Sequence, residues 1–234
     1  MISTELAEKN YRIRELEFRA LRSQIQPHFL YNTLETISWI TIGLTKGPNI
    51  ASRMIENLSK ILRYSLDNSC EFVEIRNEIE IINCYFDIQK IRYKQFSNVI
   101  WSVDKKLLDH KILKFMIQPI VENCFQHGLD AVKEKLAIKI SIYTKNDFLF
   151  IQVIDTGKGM SYEELKELRK KIESRELSIG EHIGLLNSNQ RIKIFYGDEY
   201  GISISSWKNI GTVLRIKLPF NTEINDASKP NNSP

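Results

Sequence analysis

Four short stretches hold residue types that could handle a nucleotide. In DTGKGM, Asp155–Met160, an aspartate closes the apolar run FLFIQVID, and Gly157 and Gly159 follow it. A carboxylate buried at a strand end needs a hydrogen-bond donor, and the amino group of adenine is one. The glycines let the backbone turn sharply and approach a ligand closely, although an Asp-to-Gly turn alone has the same form. In ENCFQHG, Asn123 and His127 stand four apart on one helix face with Gln126 beside it. An amide oxygen is a hard ligand suited to Mg²⁺, which fills its other positions with water and phosphate oxygens. The plainer alternative is an exposed polar face with a helix-end histidine. In GEHIGLLNSNQRI, Gly180 and Gly184 flank a helix start, whose free amides suit phosphates or merely cap the helix. Gly211–Thr212 places a hydroxyl at the head of the last long strand, or simply a residue of high strand propensity.

A fifth stretch poses a different problem. IQPHFLYNTLETI, residues 25–37, sets Pro27 directly before His28 inside a run of helical periodicity. An interior proline costs a helix about 3 kcal/mol, and a lone histidine beside a kink is otherwise a surface residue.

The elements that must carry these stretches differ between the two halves of the chain. Ile2, Leu6, Ile13, Leu16 and Ala20 make an apolar stripe that Leu30, Leu34, Ile37 and Thr41 continue. After Gly43, Gly47 and Pro48, the same spacing returns in Ile50, Met54, Leu58, Ile61 and Leu62, so residues 1–69 read as a helical hairpin. Two helices alone bury too little apolar surface, and a second copy making a four-helix bundle is expected. From about residue 70 the period changes. EFVEI, NVIWSVD, AIKISIY, FLFIQVID, GISISSW and TVLRIKLPF read as strands, with FLFIQVID buried on both faces or nearly so. RNEIEIINCYFDIQKIRY, KILKFMIQPIVENCFQHGL, residues 161–173 and IGLLNSNQRIKIF read as helices. Their sum is an α/β sandwich over 70–220, and the polar, proline-bearing 221–234 reads as a disordered tail.

Composition narrows the class. Of 234 residues, 42% are hydrophobic and 26% charged, which is globular rather than disordered. No apolar run reaches the roughly 20 residues of a membrane span, and the charged N-terminus is no secretory signal. Cys70, Cys84 and Cys124 lack metal spacing and cannot all pair, which fits a reducing compartment. A net charge of +4 without basic clusters interleaved with aromatics gives no nucleic-acid footprint. A cytoplasmic chain is expected.

The order of the four stretches resembles the GHKL, or Bergerat, ATP-binding domain shared by histidine kinases, gyrase-type ATPases and Hsp90 chaperones. The resemblance covers about residues 70–220 and implies ATP held at adenine by Asp155, with Thr212 acting through water. It further implies Mg²⁺ at Asn123, and nucleotide contacts from Gln126, His127, Gly157, Lys158, Gly159, Gly184 and Leu185. QIQPHFLYNTLE, QPIVENCFQHG and HIGLLNSNQRIKIFYG together resemble the phosphoacceptor box, N box and G2 region of LytS/YesM-type sensor histidine kinases, over residues from about 20 to 219. That resemblance implies a dimerisation and phosphotransfer domain at 1–69 with an N-terminal signal-input helix, and a catalytic domain at 70–220. The implied reaction is ATP-dependent phosphorylation of His28, an unprotonated ring nitrogen being the nucleophile, followed by transfer to an aspartate on a response-regulator receiver domain. Pro27 would loosen the preceding turn and allow a bend coupled to the signal. A membrane would enter only through sensor segments of a longer parent protein.

Some positions depart from that pattern. Cys124 and Gln126 replace the usual Ala and Lys, so one phosphate contact is lost, and Phe29 replaces the carboxylate that follows the histidine in other kinases. Glu35 and Glu122 are the carboxylates on hand as proton acceptors, and Pro119 stands where other kinases place a polar N-box residue. Two other readings share these residues: a dimeric pseudokinase or binding module, and a GHKL ATPase or serine kinase without phosphohistidine.

Overall fold

The computed structural model describes residues 27–67, 70–93, 96–128, 136–174 and 182–220, with the side chains of 27–29, Ser97 and His127 outside that description. The expected helix before Pro27, Gly180 and the tail 221–234 also lie outside the described residues. Two compact units part between Asn68 and Ser69.

The first unit is a hairpin of α1 (Pro27–Thr45) and α2 (Ile50–Leu66). Gly43 falls inside α1, and the turn belongs to Lys46, Gly47 and Pro48. Lys46 takes a left-handed φ of 57°, and the Gly47 amide donates back to Ile42 O at 3.0 Å, which satisfies a carbonyl at the end of α1. Asn49 then caps α2. Its Oδ1 accepts from Ser52 N at 3.0 Å while Ser52 Oγ accepts from Asn49 N at 2.9 Å. Its Nδ2 donates to Thr41 O and Thr45 Oγ1, so one side chain fastens both helices.

The second unit runs β1 (Phe72–Glu74), α3 (Ile75–Arg92), β2 (Phe96–Val103), a 3₁₀ turn (Lys105–Leu107), β3 (Lys111–Leu113) and α4 (Gln118–Gly128). It continues through β4 (Leu136–Lys145), β5 (Phe148–Asp155), α5 (Tyr162–Glu173), α6 (Ile183–Tyr196), β6 (Gly201–Trp207) and β7 (Gly211–Pro219). Five strands form one sheet in the order β2-β4-β5-β7-β6, and β1 pairs separately with β3. Only β2 and β4 are parallel; the other neighbours are antiparallel. One face of the sheet carries Ile138, Ile140 and Ile142, then Leu149, Ile151 and Val153, then Leu214, Ile216 and Leu218, all buried. Ile120, Val121, Leu165, Leu185 and Ile192, from the helices, belong to the same core. This is the α/β sandwich that the periodicity predicts.

Two expectations need correction. β5 is buried on one face only: Phe150, Gln152 and Ile154 on the other are half-buried. The helix expected from Lys111 begins at Gln118, because Lys111–Leu113 pairs with β1. Between them Phe115 turns at φ 63°, and the buried Glu78 carboxylate takes the amides of Phe115, Met116 and Ile117 at 2.8, 3.0 and 3.1 Å. Pro119 therefore sits in the first turn of α4, where its missing N–H costs nothing.

The β6 edge of the sheet is capped by side chains at two points. Arg169 donates from Nε and Nη2 to Ile204 O on β6, and Asn189 Oδ1 accepts from Ile202 N. Such capping covers part of the open ladder that an edge strand otherwise presents.

Candidate functional site

The last residue of β5 is Asp155, 6% exposed. Its Oδ1 accepts from Gly157 N at 2.8 Å, a local bond that folds the chain back directly after the strand. Burial raises its carboxyl above the ordinary aspartate value, and bonds from the Gly157 amide, the Cys124 thiol and the Thr212 backbone partly offset this. Cys124, on α4, is also buried, and desolvation, aided by the Asp155 charge, holds its thiol well above the usual range. It is therefore a small packed group rather than a thiolate nucleophile.

Two glycines make this corner possible. Gly159 has φ +60°, and a Cβ there would lie 1.9 Å from Trp207 O; at Gly211, φ +142°, it would lie 2.0 Å from Asp155 O. Backbone segments thus pack where no side chain fits. Beneath them Ser206 Oγ sits 2.8 Å from Thr212 Oγ1 and accepts from Met160 N at 2.9 Å. That pair fixes the Thr212 hydroxyl beside Asp155, its register partner across β5 and β7.

A cavity of about 370 Å³ opens over this corner. Asp155, Lys158, Gly159 and Thr212 line it from the strand ends, Asn123 and Cys124 from α4. Glu164, Glu167 and Lys171, at helical steps, line it from α5, and His182 from the foot of α6. Asn123 is buried, and its Oδ1 lies 2.7 Å from His182 Nδ1.

Of the residues singled out in the sequence, Asn123, Asp155, Lys158, Gly159 and Thr212 meet at one cavity. Gly157 is buried in the turn beside it. Gly184 is exposed in the first turn of α6, Gln126 is exposed on α4, and Leu185 lies in the core; none of them lines the cavity. The His127 side chain lies outside the described residues. Glu122 is half-buried and takes Gln118 Nε2 at 2.8 Å. In the hairpin, His28 is the second residue of α1, its side chain outside the described residues. Glu35 is ion-paired with Arg63 at 3.3 Å. Sequence reasoning missed His182, Ser206 and Lys171. A histidine directly before a helix start was the available signal for His182, whereas Ser206 is placed only by strand pairing.

Residues 16–96 match the family described as histidine kinase. Residues 108–222 match the family described as histidine kinase-, DNA gyrase B-, and HSP90-like ATPase. The chain belongs to the histidine kinase family. This histidine kinase is 31% identical to sensor protein kinase HptS of Staphylococcus aureus (strain bovine RF122 / ET3-1) over 208 residues, 89% of this chain and 39% of that protein. HptS of strain USA300 gives the same figures. The chain therefore spans about two fifths of the length of these relatives, 39%. Among solved structures, the catalytic domain of histidine kinase ThkA aligns with 63% of this chain and 94% of its own, at 21% identity and a TM-score of 0.46. A histidine kinase domain from Erythrobacter litoralis covers 81% and 83% at 12% identity, also with a TM-score of 0.46. The ATPase-type domain of this histidine kinase implies that ATP is its nucleotide. Among the described residues, no helix is long and apolar enough to cross a membrane.

Proposed function

We propose that this chain transfers the γ-phosphoryl group of ATP to His28 and then to an aspartate on a response-regulator receiver domain, in the cytoplasm and as a homodimer. The observation that carries the reading is the convergence of Asp155 at the end of β5 and Asn123 on α4 upon one cavity. Asp155 accepts a hydrogen bond from the adenine amino group, and the Ser206-held Thr212 hydroxyl orders a water beside it. The turn amides around Gly157 and Gly159, with Lys158, face the nucleotide from the strand ends.

The residues fit a nucleotide-borne Mg²⁺. Among the described residues no group of three or more His, Cys, Asp or Glu could hold a metal alone. Mg²⁺ needs few protein ligands where phosphates and waters supply the rest, and the buried Asn123 amide oxygen is one hard donor of that kind. When bound, the ion neutralises charge on the transferring phosphoryl group.

In the transfer, a lone pair on an unprotonated His28 nitrogen forms the N–P bond as the bond from the γ-phosphorus to the bridging oxygen breaks and ADP leaves. The proton on the other ring nitrogen must then find an acceptor. Glu35 stands seven residues along α1 and is ion-paired with Arg63 at 3.3 Å; it is one carboxylate proposed for the role. Glu122, next to Asn123 in α4, is the other.

The test is incubation with Mg²⁺ and γ-labelled ATP beside His28→Ala and Asn123→Ala. Acid-labile, alkali-stable label that disappears in both variants is the expected result. Label surviving His28→Ala would overturn the phosphoacceptor assignment, and bound ATP without label would favour a pseudokinase.

A further inference from the structure

His182 occupies a conformation that does not suit it. It stands at the start of α6 with φ 66° and ψ 15°, in the left-handed region, and its side chain makes no capping hydrogen bond to the helix. That backbone costs a residue with a Cβ roughly 1 kcal/mol and costs glycine nothing. A side chain held there must be supported by something else. Its Nδ1 lies 2.7 Å from Asn123 Oδ1, and both residues line the same cavity.

We infer that His182 is the positioning residue that holds the Asn123 amide with its oxygen ready for the metal of the bound nucleotide. The inference rests on the reading of Asn123 given above. An asparagine amide can present either its oxygen or its NH₂, and only the oxygen can bind a cation. The imidazole N–H, donating to Oδ1, selects the oxygen. A carbonyl oxygen has two lone pairs, so one can accept from His182 while the other remains for the ion. Donors placed behind a metal ligand orient it, and their loss costs about 10- to 100-fold in metal affinity. The left-handed backbone at position 182 is then local strain maintained at a functional site. The bond also joins α4 to the N-cap of α6, so the two elements meet at the proposed ligand itself.

The experiment is calorimetric titration of the full chain with a non-hydrolysable ATP analogue, in Mg²⁺ and in EDTA. The parent is compared with His182→Gly, His182→Asn and Asn123→Ala. The quantity read is the factor by which Mg²⁺ tightens binding. His182→Gly should reduce that factor about tenfold while leaving affinity in EDTA unchanged and the melting temperature unchanged or higher. His182→Asn, which tolerates the left-handed backbone and can donate from Nδ2, should recover most of it. An unchanged or larger factor in His182→Gly, or no recovery in His182→Asn, would overturn the inference. If Asn123→Ala keeps the full factor, the metal-ligand reading of Asn123 fails first and takes the inference with it.

Discussion

Asp155 combines two demands that pull apart. In the role proposed for it, as an acceptor for an adenine amino group, it is useful with both oxygens unprotonated, yet burial makes its charge costly and raises its carboxyl above the ordinary value. A carboxyl whose folded value is raised takes up a proton on folding. Its contribution to stability is complete below the unfolded value, near 3.9, and is lost as pH rises through the folded one. An amide has no such dependence. The stability difference between the parent and Asp155→Asn should therefore move in the parent's favour as pH falls from 7 to 4, measured by denaturant unfolding; a flat difference would contradict this. At pH 7 the same variant should bind ATP at least about tenfold more weakly, since a hydrogen bond to a charged group contributes about 1.5–3 kcal/mol. Much of this corner was legible in the sequence because its causes are local: a strand-end aspartate followed by glycines two and four residues on. His182 was not, because its importance comes from Asn123, 59 residues away.

At the scale of elements, the start of α4 shows where periodicity misleads. KILKF has helical spacing, but its backbone pairs with β1, and the next amides are taken by Glu78, 37 to 39 residues earlier. Nothing in the local pattern records a carboxylate arriving from another helix. The hairpin turn was legible for the opposite reason, since Gly47, Pro48 and Asn49 cap and turn within their own neighbourhood. Glu78 is 2% exposed and serves three amides, so Glu78→Ala takes this carboxylate from all three, two of them, at Met116 and Ile117, in the interior. We expect a loss of at least about 3 kcal/mol in urea unfolding of the unit from Ser69 onward, along with weaker ATP binding as α4 and Asn123 lose their anchor. Glu78→Gln keeps one acceptor oxygen and should lose less. Equal stability in parent and Glu78→Ala would show that the amides find water instead.

For the whole molecule, the question is what covers the hairpin. Trp39, Ile40 and Leu44 on α1 are 73, 56 and 80% exposed, and Ile50 and Leu58 on α2 are 56 and 47%. Single exposed apolar residues are ordinary, but these recur at steps of one, four and eight along two helices that, among the described residues of this unit, pack on each other. A second copy of the same hairpin would cover them and complete a four-helix bundle. In a two-fold arrangement each substitution acts twice. Leu44→Glu, at about 2 kcal/mol per copy for a buried leucine, should weaken self-association by about 4 kcal/mol, roughly 500-fold or more. Sedimentation equilibrium would show the parent as a dimer and Leu44→Glu as a monomer at the same concentration. Lys60→Glu removes only an exposed pair with Glu56 and should leave the mass unchanged. Because the described residues that line the cavity proposed for ATP all belong to the unit from Ser69 onward, Leu44→Glu should bind ATP with the parent's affinity. A Leu44→Glu chain that stays dimeric would mean that another face pairs the copies; a parent that is monomeric at every concentration would mean that the hairpin is covered by something other than itself.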